Sequence, residues 1–388
     1  MIPKKNIPRA IKKALAQPEY ALSNLFHRVI ASIYYHLYDG ISYAPETVSL
    51  FLTYKCNLHC FMCGQWGEEG IFKSYSPSTL KDLISLDDVG ALVRELKRYK
   101  TNFTLFGGEP MLHPHWLEIV HLIKKNGLRC NIVTNGTFVG KYAKAIINSK
   151  LDEIIFSLDG PEEIHDKIRR VPNTFNRTIN GFKKLKALKE QKKTKRPLVN
   201  INTTINELNY KYLEEIIEIA RDIGAKMITF HHLLFLKTEI VENFIKFFQK
   251  KFGETPYDWL GFGRKTPPEI DVNLLISEIE EIKKKNYDIE VSFFPNLSPE
   301  EVTKWYTGFD FNSKNYKNRC MSLWMTAYVF PDGAVRPYHT MNYNMGNIRE
   351  KGFKRIWNSP KYVRYRAYIK EHKRFPVCSK GCTEFFRY

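Results

Sequence analysis

A chain of 388 residues that is 43% apolar can bury a full-sized core, and its length allows one large domain with an appendage or two to three domains. Because it has no run of about 18 uncharged apolar residues, and Met-Ile-Pro-Lys-Lys leads into a mixed amphipathic stretch, the chain is expected to be non-spanning, unsecreted and cytoplasmic. Sixty basic against 41 acidic residues give +19, a field that favours anionic partners such as nucleic acid, phosphorylated metabolites or lipid headgroups.

Residues 1–45 include "AIKKALAQPEYALSNLFHRVIASIYYHLYDG", where Pro18 is placed to start a long helix and Leu22, Leu25, Phe26, Val29, Ile30, Ile33 and Leu37 fall near one face. Two readings stand for that stripe. It docks into the core, or it lies peripherally on an anionic membrane and brings a lipid-linked substrate within reach. From "VSLFLTY" onward, short apolar strands alternate with helices. "SLDDVGALVRELKRY" is a helix behind a capping box of Ser85 and Asp88, with Val89, Leu92, Val93 and Leu96 on its buried face. Strands "TNFTLFGG", "RCNIVTNG", "DEIIFSLDG", "PLVNINTTIN" and "AKMITFHH" follow, each separated from the next by a helix. Six such units predict an α/β fold with a parallel sheet, a partial (β/α)6 TIM-like barrel with its chemistry at the C-terminal strand ends. Cys56, Gly107, Asn135, Asp159, Asn206 and His231 fall there. The basic run Lys183–Arg196 reads as a solvated helix face, not a nucleic-acid patch, because no aromatic residues interleave for base stacking.

Seven cysteines are an odd count for a disulfide framework, and three of them, Cys56, Cys60 and Cys63, stand within eight residues. Such a cluster can hold an iron-sulfur group, or zinc with His59 as a fourth ligand. The Cys-x3-Cys-x2-Cys spacing just after the first strand resembles the radical S-adenosylmethionine superfamily. "FGGEP" (Phe106, Gly107, Gly108, Glu109, Pro110), "TNG" (Thr134–Gly136), "SLDG" (Ser157–Gly160) and "HDKIRR" then follow in family order. The resemblance implies an enzyme whose three thiolates hold a [4Fe-4S] cluster with one iron free for exchangeable S-adenosyl-L-methionine. Reductive cleavage would yield a 5'-deoxyadenosyl radical that abstracts hydrogen from an unactivated C–H bond. It further implies cofactor contacts from the Phe106–Pro110 motif, Asn135, Ser157 and Asp159, with Arg169 on the cofactor carboxylate, and a reducing partner such as ferredoxin or flavodoxin. Met62 stands where the family often has an aromatic residue, offering a thioether contact instead.

The stretch from Cys320, with "PDG", "GNI", "IW" and the terminal "CSKGC", resembles the SPASM/twitch extension, a small α+β unit that carries an auxiliary iron-sulfur cluster. This implies metal ligation by Cys320, Cys378 and Cys382. Where a further cysteine is expected the chain has Tyr338, followed by His339. Tyr338, His339 or an open iron therefore completes an auxiliary [4Fe-4S] cluster, and zinc with His339 is the alternative. Cys130, alone mid-strand, reads as core filling. The expected division is 1–45 helical segment, 46–232 barrel, 233–319 bridge and 320–388 extension. His231 and His232 are acid or base candidates, or satisfied histidines at the barrel rim. The substrate class stays open among peptide, sugar, lipid and small metabolite, anionic or lipid-linked. The competing class is a non-catalytic iron-sulfur or zinc protein that binds nucleic acid or a protein partner.

Overall fold

The computed structural model describes Ile11 and residues 18–388; of the N-terminal segment, residues 1–10 and 12–17 lie outside the described residues. Helix α1 (Pro18–Leu37) precedes β1 (Thr47–Phe51). Then α2 (Leu86–Leu96), β2 (Asn102–Phe106), α3 (Trp116–Lys125), β3 (Cys130–Thr134), α4 (Val139–Asn148) and β4 (Glu153–Ser157) alternate. Helices α5 (Glu162–Arg169) and α6 (Thr174–Gln191) lead to β5 (Leu198–Ile205), α7 (Leu213–Asp222) and β6 (Met227–His232). All six expected strands are present and parallel to their neighbours. Their apolar runs form strands because helices cover the sheet from outside while the strands' other face is also buried, as in β1, where all five residues are buried. Cys130 is fully buried in β3. At α2 the expected capping box forms: Asp88 N–H donates to Ser85 Oγ (3.0 Å), Ser85 N–H to Asp88 Oδ2 (3.0 Å), and Val89, Leu92, Val93 and Leu96 face the core.

The sheet does not stop at six strands. The bridge supplies β7 (Leu236–Lys237), α8 (Thr238–Phe252), β8 (Gly263–Arg264), α9 (Val272–Lys284), β9 (Glu290–Phe294) and α10 (Pro299–Thr307). The extension supplies β10 (Thr326–Val329), β11 (Val335–Arg336), α11 (Phe353–Trp357), α12 (Pro360–His372) and the single turn α13 (Cys378–Gly381). Strand β9 pairs in parallel with β6, and β10 with β1. The order is therefore β11-β10-β1-β2-β3-β4-β5-β6-β9, nine strands with only β11 antiparallel. Bridge and extension thus lengthen the barrel sheet at its two edges, a consequence of long-range pairing that local periodicity does not encode.

Helix α1 docks with its polar side. His27 Nε2 donates to the Tyr99 carbonyl (2.7 Å), Asn102 Nδ2 to Asn24 Oδ1 (3.2 Å) and Arg28 Nε to Glu46 Oε2 (3.1 Å), while Arg129 lies 4.1 Å from the centre of the Tyr20 ring. Ala31 and Tyr35 are buried, and Tyr35 packs edge-on against Trp324 (4.8 Å). The core reading of the Leu22–Leu37 stripe is thereby corrected, since Leu22, Leu25, Phe26, Val29, Ile33 and Leu37 are exposed and only Ile30 is half-buried. Periodicity locates an apolar face but not its direction. No helix among the described residues is long and apolar enough to cross a membrane. Glu46 is fully buried with Arg28 as its ion-pair partner, so Arg28→Met should lower unfolding free energy by about 3 kcal/mol, measured by denaturant titration; an unchanged midpoint would refute this anchoring.

Candidate active site

The loop after β1 is held from two sides. Gly108 N–H donates to the Thr53 carbonyl (2.9 Å) and Glu109 N–H to that of Lys55 (2.8 Å), so the turn after β2 lies directly on the chain entering Cys56. A Cβ on Gly108 would sit 2.2 Å from the Lys55 carbonyl oxygen, and Gly107 has φ +148°, so both positions require glycine. On the other side, Phe61 N–H donates to the Ile168 carbonyl (3.1 Å), and the Cys63 carbonyl accepts from Gly67 N–H (2.8 Å).

Side chains close the arrangement. Glu109 is fully buried; its Oε1 accepts from Thr134 Oγ1 (2.8 Å) and Met111 N–H (3.0 Å), and Oε2 from Asn135 N–H (2.8 Å). Asn135 Nδ2 donates to Asn57 Oδ1 (2.9 Å), and Asn57 Nδ2 to Thr137 Oγ1 (3.1 Å), tying the third strand end back into the cysteine loop. Asn57 was not singled out by the sequence, although its place between two cysteines of one short loop was a usable signal. The Arg169 guanidinium reaches three groups: Asp159 Oδ2 (2.6 Å), the Ser157 carbonyl (3.1 Å) and Cys60 Sγ (3.4 Å). Asp159 Oδ1 accepts from Thr204 N–H (3.0 Å). Arg169 and Asp159, assigned by resemblance to two ends of the cofactor, are therefore partners of each other. Met62 is half-buried against the core, and Pro110 is buried at the start of a short 3-10 helix capped by Glu109. Phe106 packs on Phe51 (4.9 Å) and reaches the extension at Tyr328 (5.8 Å) and His339 (6.2 Å).

Burial pushes the Cys56 thiol up to about 12 and raises Cys60 as well, the Arg169 guanidinium opposing the latter shift. Such thiols ionise where metal charge replaces the proton, which fits an iron-sulfur group held by three thiolates. His59 is exposed, and no three His, Cys, Asp or Glu side chains among the described residues converge as closely as a single metal ion requires.

In the extension, burial raises Cys320, Cys378 (up to about 12) and Cys382, and proximity to Cys320 raises the other two further. Tyr338 lies beside this group. Its hydroxyl accepts from Thr383 N–H (3.1 Å) and meets Thr383 Oγ1 (3.2 Å), next to Cys382, and Trp259 stacks on its ring (5.7 Å). His339 packs against Tyr328 (5.8 Å) and Phe106, and burial pushes it down to about 4. His232 is buried, bonds Tyr306 Oη through Nδ1 (3.0 Å) and is pushed down by burial to about 3, a satisfied core histidine; His231 packs on Phe294 (5.5 Å). A second polar group is assembled over long range: buried Asp258 accepts from Tyr75 Oη (2.9 Å) and faces Arg336 (3.4 Å), joining the bridge, the chain that follows the cysteine loop, and the extension. Its members are 183 and 78 residues apart, and nothing local marks them.

Residues 50–220 match the Radical SAM superfamily, and residues 320–383 match SPASM, an iron-sulfur cluster-binding domain. The chain belongs to the radical SAM superfamily. It is an enzyme of that superfamily with a SPASM domain, and its cofactors are S-adenosylmethionine, a [4Fe-4S] cluster and auxiliary iron-sulfur. It is 26% identical over 341 residues to the tungsten-containing aldehyde ferredoxin oxidoreductase cofactor-modifying protein of Pyrococcus furiosus, covering 85% of each chain. It is 24% identical over 345 residues to the AdoMet-dependent heme synthase of Oleidesulfovibrio alaskensis, covering 84% of this chain and 78% of the relative. The fold matches the crystal structure of Streptococcus suis SuiB bound to precursor peptide SuiA, with TM-score 0.61 and 14% identity, over 99% of this chain and 87% of that one.

Burial pushes the Glu109 carboxyl from 4.5 up to about 7, against the three hydrogen bonds it accepts. The folded chain keeps this proton where the unfolded chain has released it, so the group costs stability progressively as pH rises from 4.5 to about 7. Glu109→Gln removes that slope. Denaturant midpoints across the window should move against wild type, relative to the variant, as pH rises; a constant difference would show the carboxyl ionised throughout.

Proposed function

We propose that this enzyme abstracts hydrogen from an unactivated C–H bond of an anionic substrate, with Cys56, Cys60 and Cys63 holding the reactive cluster. The observation that carries the reading is the seating of the Gly107–Gly108–Glu109 turn on residues 53–55, beside which Asn135 and Arg169 tie the ends of β3 and β4 to the same cysteine loop. When bound, the cluster with S-adenosylmethionine supplies reductive cleavage to a 5'-deoxyadenosyl radical. The chain's own residues bind and orient. Glycines 107 and 108 bring backbone, not side chain, to the cysteine loop. Asn135 and the Asn57 amide fix the third strand end against that loop. Arg169 places a positive charge beside Cys60, favouring its thiolate, and holds Asp159 and the Ser157 carbonyl in line. The names of the two relatives, a cofactor-modifying protein and a heme synthase, support a metabolite substrate, and the SuiB fold likeness leaves peptide as the second class.

For the extension we assign Cys320, Cys378 and Cys382 to an auxiliary [4Fe-4S] cluster, with Tyr338 ahead of His339 at the fourth position because the Tyr338 hydroxyl lies at Thr383, next to Cys382. Reconstituted protein should then carry about eight irons per chain, four for each cluster, falling to about four when either cysteine group is replaced by alanine. The Cys56/Cys60/Cys63→Ala variant should form no 5'-deoxyadenosine with reductant and S-adenosylmethionine; continued formation would reject the loop as the reactive centre. Tyr338→Phe should keep iron content while altering the paramagnetic resonance of the auxiliary cluster. An unchanged spectrum, with cluster loss in His339→Ala, would assign histidine instead.

A further inference from the structure

The solvent-facing side of α1 carries a run of apolar side chains from Leu22 to Leu37, with exposed His36 near its end. Leu22, Leu25, Phe26, Val29, Ile33 and Leu37 are each between 43% and 72% exposed, at the i, i+3, i+4, i+7 spacing of one helix face. The stripe runs on into Tyr38 (46%) and Ile41 (43%). A surface helix normally buries such a face; here the polar contacts to Tyr99, Asn102 and Glu46 hold the opposite side down, so the apolar side is fixed outward.

What surrounds the stripe decides its partner. Phe26 meets Tyr43 (6.1 Å) and Tyr43 meets Tyr99 (5.3 Å), at the mouth of a cavity of about 290 Å³ whose walls include Tyr34, Phe353 and Trp357. Exposed Arg98 and Lys354 lie over the Tyr99 ring at 4.5 and 5.5 Å. In sequence, the 17 residues before the helix hold Lys4, Lys5, Arg9, Lys12 and Lys13 and no acidic residue. An apolar strip flanked by tyrosines and by the exposed cations Arg98 and Lys354, with exposed Asp39 paired to Lys370 (3.0 Å), matches the depth profile of a bilayer surface: acyl chains, headgroup level, phosphates.

We propose that this face docks the enzyme on an anionic lipid bilayer, with α1 lying in the headgroup plane. A second copy of the chain is the weaker occupant, because a two-fold contact sets one patch against itself and brings the two basic margins together. The net charge of +19 adds attraction toward an anionic surface from any approach. This surface is independent of the cysteine loop, so its failure would leave the radical chemistry untouched.

The test uses full-length reconstituted protein floated with vesicles of phosphatidylcholine alone or with added phosphatidylglycerol. Binding is expected only with phosphatidylglycerol, and should weaken as salt rises from about 0.1 M to about 1 M, where the screening length falls from about 10 Å to about 3 Å. The triple substitution Leu22→Ser, Phe26→Ser, Val29→Ser should lower apparent affinity at least about tenfold with circular dichroism and iron content unchanged, since it alters only exposed side chains. Equal flotation with both vesicle types, undiminished flotation of the variant, or no flotation would each overturn the proposal. So would a concentration-dependent dimer, seen by sedimentation velocity and lost in the variant, in protein that does not bind vesicles.

Discussion

The candidate centre depends on the direct seating of one backbone turn on another. Gly108 and Glu109 donate to the carbonyls of Thr53 and Lys55, a contact that a single Cβ would block. From there the alignment passes through side chains. Glu109 bonds Thr134 and Asn135, and Asn135 bonds Asn57 inside the cysteine loop, so the path returns to its start. A ring of buried, satisfied polar groups resists displacement of any one member, because moving it leaves two others without partners in a low-dielectric interior.

Charge within that ring is distributed as sparingly as burial allows. Arg169 is the cation facing Cys60, and it is held by Asp159, whose other oxygen is occupied by Thr204 N–H. An isolated guanidinium at this depth would be costly; paired with Asp159 it serves two purposes, favouring the Cys60 thiolate and fixing the end of α5 under the loop. The two residues that the resemblance places on separate parts of a ligand are thus joined to each other by an ion pair.

Legibility in the sequence followed the range of the interaction. The six strands, the capping box of Ser85 and Asp88 and the strand-end position of every motif were readable because apolar runs, caps and glycine turns are encoded within a few residues. Pairing of β9 with β6 and of β10 with β1 was not, since registry between segments roughly 60 and 280 residues apart leaves no local period. The same limit hid the Asp258–Arg336 contact. For α1 the period was plain and the orientation was not: a helix buries whichever face finds partners, and Glu46, Asn102 and the Tyr99 carbonyl are polar ones.

Pairing of β10 with β1 also changes how the extension relates to the barrel. Thr47 through Leu50 are in register with Thr326 through Val329, so the strand that enters the first cysteine loop is hydrogen-bonded to a strand six residues past Cys320. Adjacent strands stand about 4.8 Å apart, and such a ladder does not slide without exchanging the faces of its side chains. Side chains add a second link at the strand ends, where Phe106 of the glycine-turn motif meets His339 and Tyr328, and Tyr328 meets Tyr338 (5.6 Å). The strand that leads into the first cysteine loop and the strand that follows Cys320 are therefore held in one register by the β1–β10 ladder, not by the loops that carry the thiols.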